Sequence, residues 1–305
     1  MAYNNSHVGS VSLMEGLSFK IILVQVLVIV FLGINFMLLS TFFMKEVFYT
    51  SLRYILFAVT LLSDCAVLLL TGILAIWTRF HFTVPVWLCL IIFILATVYT
   101  LITPFTLTAM TIERYVAICM PLRHGELCST RCSLHCILII HGLSSIPVIV
   151  DLAIFCLSVP LSFYKKAVDC RARVFILYKW QEYIRSAIKQ FYFLLMCIVI
   201  VFTYAKIMKA AKAASGENKK STWKGLKTVV LHAFQLLLCL IQLWCPFIEA
   251  AVLQIDFMLF IHLRFSNYIL FYLASRCLSP LIYGLRDELF FSALKYQLCG
   301  LHNTS

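Results

Sequence analysis

Asp64 and Arg276 each stand in the middle of a long apolar run. Charge is costly inside a hydrocarbon layer, so such residues mark a function or a partner. Asp64 lies 11 residues after Arg53, roughly 17 Å of helix, and Arg276 lies 10 residues before Arg286, roughly 15 Å. Two ions at similar depth are expected to pair, because neither is stable alone there. The alternative is that each meets water or backbone separately. A second cluster, Glu113, Arg114 and Tyr115, closes another apolar run. On its own, an acid beside an arginine at such an edge is a snorkelling pair. No polar segment carries a nucleophile–base constellation or Cys/His zinc spacing, which argues against an enzyme and against a metal.

The elements that hold these residues follow from composition. Of 305 residues, 63% are hydrophobic and 12% charged, whereas soluble domains average near half and a quarter. One soluble core cannot hide that excess, so lipid is the solvent for much of the chain. Runs long enough to cross a bilayer fall at about 19–43, 53–77, 84–119, 133–159, 186–210, 226–253 and 262–284. The expected fold is an all-α membrane protein, a single seven-transmembrane domain over 1–305. Residues 1–18 form the N-terminus and 286–305 the tail. The first run is too long for a cleavable signal peptide and lacks a basic leader. Most of the 13 cysteines lie in these runs as small buried hydrophobes.

Loop charge sets orientation. Lys206, Lys209, Lys212, Lys219, Lys220, Lys224 and Lys227 separate spans five and six; Arg123 and Arg131 separate three and four; Arg286 and Lys295 follow seven. These ends are expected in the cytoplasm, with the N-terminus outside. The segment 161–189 is also basic and argues the other way. Asn4 begins the sequon Asn4-Asn5-Ser6, a glycosylation site if outside. The net charge of +12 is spread over short segments, which fits an anionic leaflet rather than nucleic acid. A transporter or channel is an alternative, although the internal repeat common in transporters is not visible.

Span three ends TAMTIERYVAICMPLRH, residues 108–124. This resembles the acidic-Arg-Tyr motif of rhodopsin-class G-protein-coupled receptors, and more closely the M-A-Y-D-R-Y-V-A-I-C-x-P-L signature of odorant receptors, with Glu113 for the usual aspartate. Other landmarks fall in the family's order. Gly33 and Asn35 look like its span-one Gly-x-Asn, Asp64 its span-two aspartate and Tyr204 its span-five tyrosine. Trp244 and Pro246 look like Cys-Trp-x-Pro; Ser279, Pro280 and Tyr283 look like Asn-Pro-x-x-Tyr. From Arg286 the chain resembles the family's short amphipathic inner-leaflet helix, with Cys299 a palmitoylation candidate. The strings Leu231–Cys239 and Leu278–Glu288 look most like fish-type odorant receptors.

The resemblance implies a disulfide between Cys89 and Cys170, a small-molecule odorant, no cofactor, and a heterotrimeric G protein of the olfactory, stimulatory type. It implies the plasma membrane, in particular olfactory neuron cilia. Glu113 is expected to restrain Arg114 at rest. Trp244 and the Pro246 kink couple the ligand to outward movement of spans five and six, and Tyr204 and Tyr283 then settle near Arg114. Asn35, Asp64, Arg276 and Ser279 form the mid-membrane polar site. Helical spacing assigns the ligand pocket to Phe93, Ala96, Thr97, Thr100, Tyr192, Phe193, Phe247, Ala251 and Tyr272.

The chain also departs from the family. Ser279 replaces asparagine, His141 stands near a usual tryptophan, and Met196 near a usual proline. Arg276 stands where receptors with a sodium site carry a small polar residue, and is expected to replace the ion. Ala96 argues against an amine ligand and Leu273 against retinal. Lys189, Asp151 and Glu249 leave room for an anionic or zwitterionic odorant. A class A receptor for an endogenous ligand is the alternative.

Overall fold

A computed structural model describes residues 2–127, 130–214, 219–279 and 288–302. Among them, seven helices are long and apolar enough to cross a membrane. The first span, Phe19–Phe42, continues a helix α1 that begins at Ala2 (Ala2–Phe42). A short turn α2 (Val47–Thr50) leads to α3 (Leu52–Arg79) and α4 (Val86–Cys119). Then come α5 (Pro121–Leu127), α6 (Thr130–Ser158), α7 (Lys179–Ala214) and α8 (Lys219–Leu253). Span seven comprises α9 (Phe257–Asn267), a π-helical stretch Tyr268–Leu273, and α10 (Ala274–Ser279). The final helix is α11 (Glu288–His302).

Helices of this kind keep every backbone hydrogen bond within the span, which lipid requires. Their large side chains turn outward as well as inward: Ile29, Phe36, Leu138, Ile149 and Val201 are exposed. A soluble fold would bury such a surface, whereas lipid accepts it. Internal prolines need compensation, since Pro104 in α4 removes one backbone donor. Thr100, Thr106, Thr108 and Thr111 each donate a hydroxyl hydrogen to the carbonyl four residues earlier. None of these acceptors is the Thr100 carbonyl that Pro104 leaves without its helical donor, so the bonds give the hydroxyls partners within the helix rather than repair the proline.

Two ends of the bundle differ in construction. At one, β1 (Thr83–Pro85) pairs antiparallel with β2 (Ala167–Asp169) in the register Thr83↔Asp169 and Val84↔Val168. Beside them Cys89 and Cys170 are joined by a disulfide, and Phe155 and Phe175 pack under the strands. At the other end, α11 lies against the start of the bundle with its apolar face inward. Phe290 meets Phe48 at a tilt and Phe57 edge-on, with ring centroids 5.2 and 5.5 Å apart. Gln297 donates to Ser40 Oγ at 2.7 Å and accepts from Thr41 at 2.5 Å. Lys295, Tyr296 and Leu298 face outward, so the helix is amphipathic.

Two spans begin earlier than the apolar runs suggest. Helix α7 starts at Lys179, not 186, because Gln181 Oε1 accepts from the backbone N–H groups of Leu177 and Tyr178 at 2.6 and 2.9 Å. That draws Glu182 and Arg185 into the helix. Span seven starts at Phe257 rather than 262, where Asp256 caps the N–H groups of Met258 and Leu259. Residues 280–287, with Pro280, Tyr283 and Arg286, lie outside the described residues.

Candidate functional site

The buried polar centre joins α3, α4 and α10. Arg276 Nη1 donates to Asp64 Oδ1, and the two side chains are 1% and 0% exposed. Thr103 donates to the same oxygen at 2.9 Å and lies 3.4 Å from Arg276 Nη1. Ser63 approaches Thr103 at 3.3 Å, and Thr60 and Thr106 meet at 3.0 Å. The guanidinium carbon also sits 4.6 Å from the Tyr272 ring centroid, and Tyr272 stacks on Tyr268 at 4.9 Å. The π-helical stretch carries both rings; its end is marked by the Ala274 N–H bonding the Ile269 carbonyl, five residues back. Asn35 is buried on α1. Ser279 ends α10, and its side chain lies outside the description.

Thr103 was legible by depth, although sequence reasoning missed it. It lies 11 residues before Arg114, roughly 16 Å, level with Asp64.

At the end bearing α11, Glu113 is buried and its Oε1 stands 3.3 Å from His124 Nε2 on α5. His124 is a partner that the sequence pattern did not reveal. Arg114 is half-buried beside it. Tyr115 meets Phe202 of α7 with centroids 6.1 Å apart, and Tyr204 is half-buried on the same helix.

At the disulfide end, Phe93, Thr97 and Thr100 follow one face of α4. Thr97 and Thr100 donate to the carbonyls of Phe93 and Ala96 at 2.8 and 2.6 Å. Phe93 packs on Phe175 at 4.9 Å. Phe193, Trp244 and Phe247 form an aromatic chain across α7 and α8, with centroids 5.6 and 6.2 Å apart. Trp244 is 41% exposed while Leu243 and Cys245 are buried, so the indole lies at the seam of the two spans. Pro246 is inside α8 and Ala251 exposed near its end. Tyr192 turns into the core, where its hydroxyl donates to the Leu143 carbonyl at 2.8 Å and its ring meets Phe105. Glu249 accepts from Asn267 at 3.1 Å. Asp151 is ion-paired with Arg185 at 2.9 Å. No group of three or more potential metal ligands occurs among the described residues.

Residues 34–283 match the family profile of the 7 transmembrane receptors (rhodopsin family). The chain belongs to that family. The receptor is 42% identical to the zebrafish (Danio rerio) Odorant receptor 131-2 over 303 residues, covering 98% of this chain and 92% of that protein. It is 27% identical to the zebrafish Galanin receptor 2a over 209 residues, 63% of this chain and 53% of that one. Membership makes it a multi-pass membrane receptor and not an enzyme, with a small-molecule ligand and a G protein as partners.

Proposed function

We propose that this receptor is an odorant receptor of the plasma membrane that raises cyclic AMP through a stimulatory G protein, and that it works in olfactory neuron cilia. The identity of 42% to an odorant receptor along 98% of the chain carries the reading. The disulfide end faces outside, where oxidising conditions keep the Cys89–Cys170 bond, and Asn4 is then open to glycosylation. The ligand settles among Phe93, Ala96, Thr97, Thr100, Phe193, Phe247, Ala251 and Tyr272. The Phe193–Trp244–Phe247 contacts tie α7 to α8 just where Pro246 weakens α8. A ligand that favours one arrangement of that seam shifts the population toward it. At the other end Arg114, Tyr115 and Tyr204, with Pro280 and Tyr283 of the chain beyond α10, receive the G protein.

The test is an odorant panel on cells expressing the chain, read as cyclic AMP, with Arg114→Ala as control. A response that vanishes in Arg114→Ala supports the reading; a ligand-gated current that needs no G protein defeats it. The likeness to a galanin receptor favours a second reading, an endogenous ligand, which expression confined to olfactory neurons would exclude.

Glu113 is the resting restraint, and its contact with His124 extends that restraint to α5. Both Glu113→Gln and His124→Leu should therefore raise basal cyclic AMP at matched surface expression. An unchanged baseline in both would remove Glu113 from this role.

A further inference from the structure

We propose that Tyr272 is the positioning residue through which the ligand region acts on the buried Asp64–Arg276 pair, and that its ring, seated on the guanidinium, holds the receptor at rest. The inference rests on the receptor reading above, whichever odorant binds. The pair itself is shielded. Of the described groups in contact with Arg276, Asp64 and Thr103 are fully buried, as is Arg276. Tyr272 lies one turn nearer the disulfide end. Its ring centroid is 4.6 Å from the guanidinium carbon, and it is half-buried, with part of its surface open. A molecule that enters from the disulfide end therefore reaches the ion through this ring.

The ring does more than fill space. Arg276 pairs with one carboxylate, and its buried Nε donates to no group among the described residues. The π face of Tyr272 stabilises the cation where hydrogen bonds do not, and such a contact counts most in a desolvated site. Tyr268 stacks on Tyr272 with centroids 4.9 Å apart and planes at 20°. Residues 268, 272 and 276 thus form one pile along the helix. The π-helical stretch Tyr268–Leu273 carries both rings. Its wide turn holds one residue more than an α turn, and such turns are frequent at functional sites. The stretch also divides span seven into halves that are tied down separately. On the disulfide side, Asn267 donates to Glu249 of α8 at 3.1 Å. On the other side, the Ser275 carbonyl accepts from Gln235 of α8 at 3.3 Å, and Arg276 is held by Asp64 of α3. With both halves anchored, a guest that shifts either tyrosine displaces the pile rather than the whole span. Loosening the ring from the guanidinium removes a contact of the resting state, and the population moves toward the state that binds the G protein.

The test grades the charge on the ring while keeping its shape. In the full-length receptor Tyr272 is replaced by phenylalanine and then by mono-, di- and trifluorophenylalanine, each fluorine drawing electrons from the π face. No odorant is added. The readouts are the melting temperature of the purified receptor and the nucleotide exchange it drives on stimulatory, inhibitory and phospholipase-coupled G proteins. Along the series the melting temperature should fall and basal exchange should rise, by roughly three- to thirtyfold in all. The same series in the Asp64→Asn/Arg276→Met receptor, which lacks the cation, should leave the melting temperature flat. Basal exchange that stays flat with Asp64 and Arg276 in place overturns the proposal, whatever the melting temperature does, because the ring then serves packing alone. So does a melting gradient that persists without Arg276, because the ring then acts on something other than the cation. An odorant panel that fails would leave a graded series standing, and a flat series would leave the odorant reading standing.

Discussion

Arg276→Met should cost the receptor about 3–5 kcal/mol, the penalty of leaving a buried ion without its partner, and Asp64→Asn should do comparable harm. The double variant should recover most of that loss. Each side chain is almost fully shielded, so water cannot replace the lost ion. Removing both charges removes the reason for the penalty, and exchanging a buried pair for neutral groups is often close to neutral. Thr103 and Tyr272 limit the recovery, because each has lost its contact to the guanidinium. Thermal unfolding of the purified single and double variants decides the matter: additive losses would show that the two residues act independently. The same wild-type protein should show no sodium effect on agonist affinity, since Asp64 already holds a cation. A sodium effect that disappears in Asp64→Asn would contradict this.

Cys89→Ser, Cys170→Ser and the double variant should all lower stability by about the same amount, roughly 2–3 kcal/mol. Chain entropy alone predicts about 4.5 kcal/mol for closing a separation of 81 residues. That separation contains α4 and α6, which the membrane already holds, so the effective loop is shorter and the effect smaller. Loss of function should exceed loss of stability. The bond fastens the β1–β2 pair, and with it Phe175 against Phe93 and Phe155, over the region assigned to the ligand. Melting temperature and agonist potency, measured at matched surface expression, check both parts. An intact agonist response in the double variant would free the ligand region from this loop.

The number of spans was legible because a bilayer imposes a length on apolar runs, and seven runs met it. The starts of spans five and seven were not. The Lys179–Arg185 segment reads as loop by hydropathy, yet one glutamine cap makes it helix. The Asp64–Arg276 pair was expected from depth, which helix rise converts directly from residue number. Depth says nothing about azimuth, and so Tyr192, placed with the ligand by spacing on α7, turns instead to Leu143. Partners that meet only through tertiary contact, Glu113 with His124 and Thr41 with Gln297, leave no local pattern. The π-helical stretch has none either: YILFYL is an ordinary apolar run.

The threonines of α4 have one more effect. Thr97 and Thr100 give their only hydrogens to their own helix, so toward a guest molecule they can act only through lone pairs. A wall that reads as polar by residue name is therefore one-handed: it accepts and does not donate. On the odorant-receptor reading proposed above, an alcohol should therefore bind better against this wall than a ketone or ester of equal size, a ranking that agonist potencies on the expressed receptor would check.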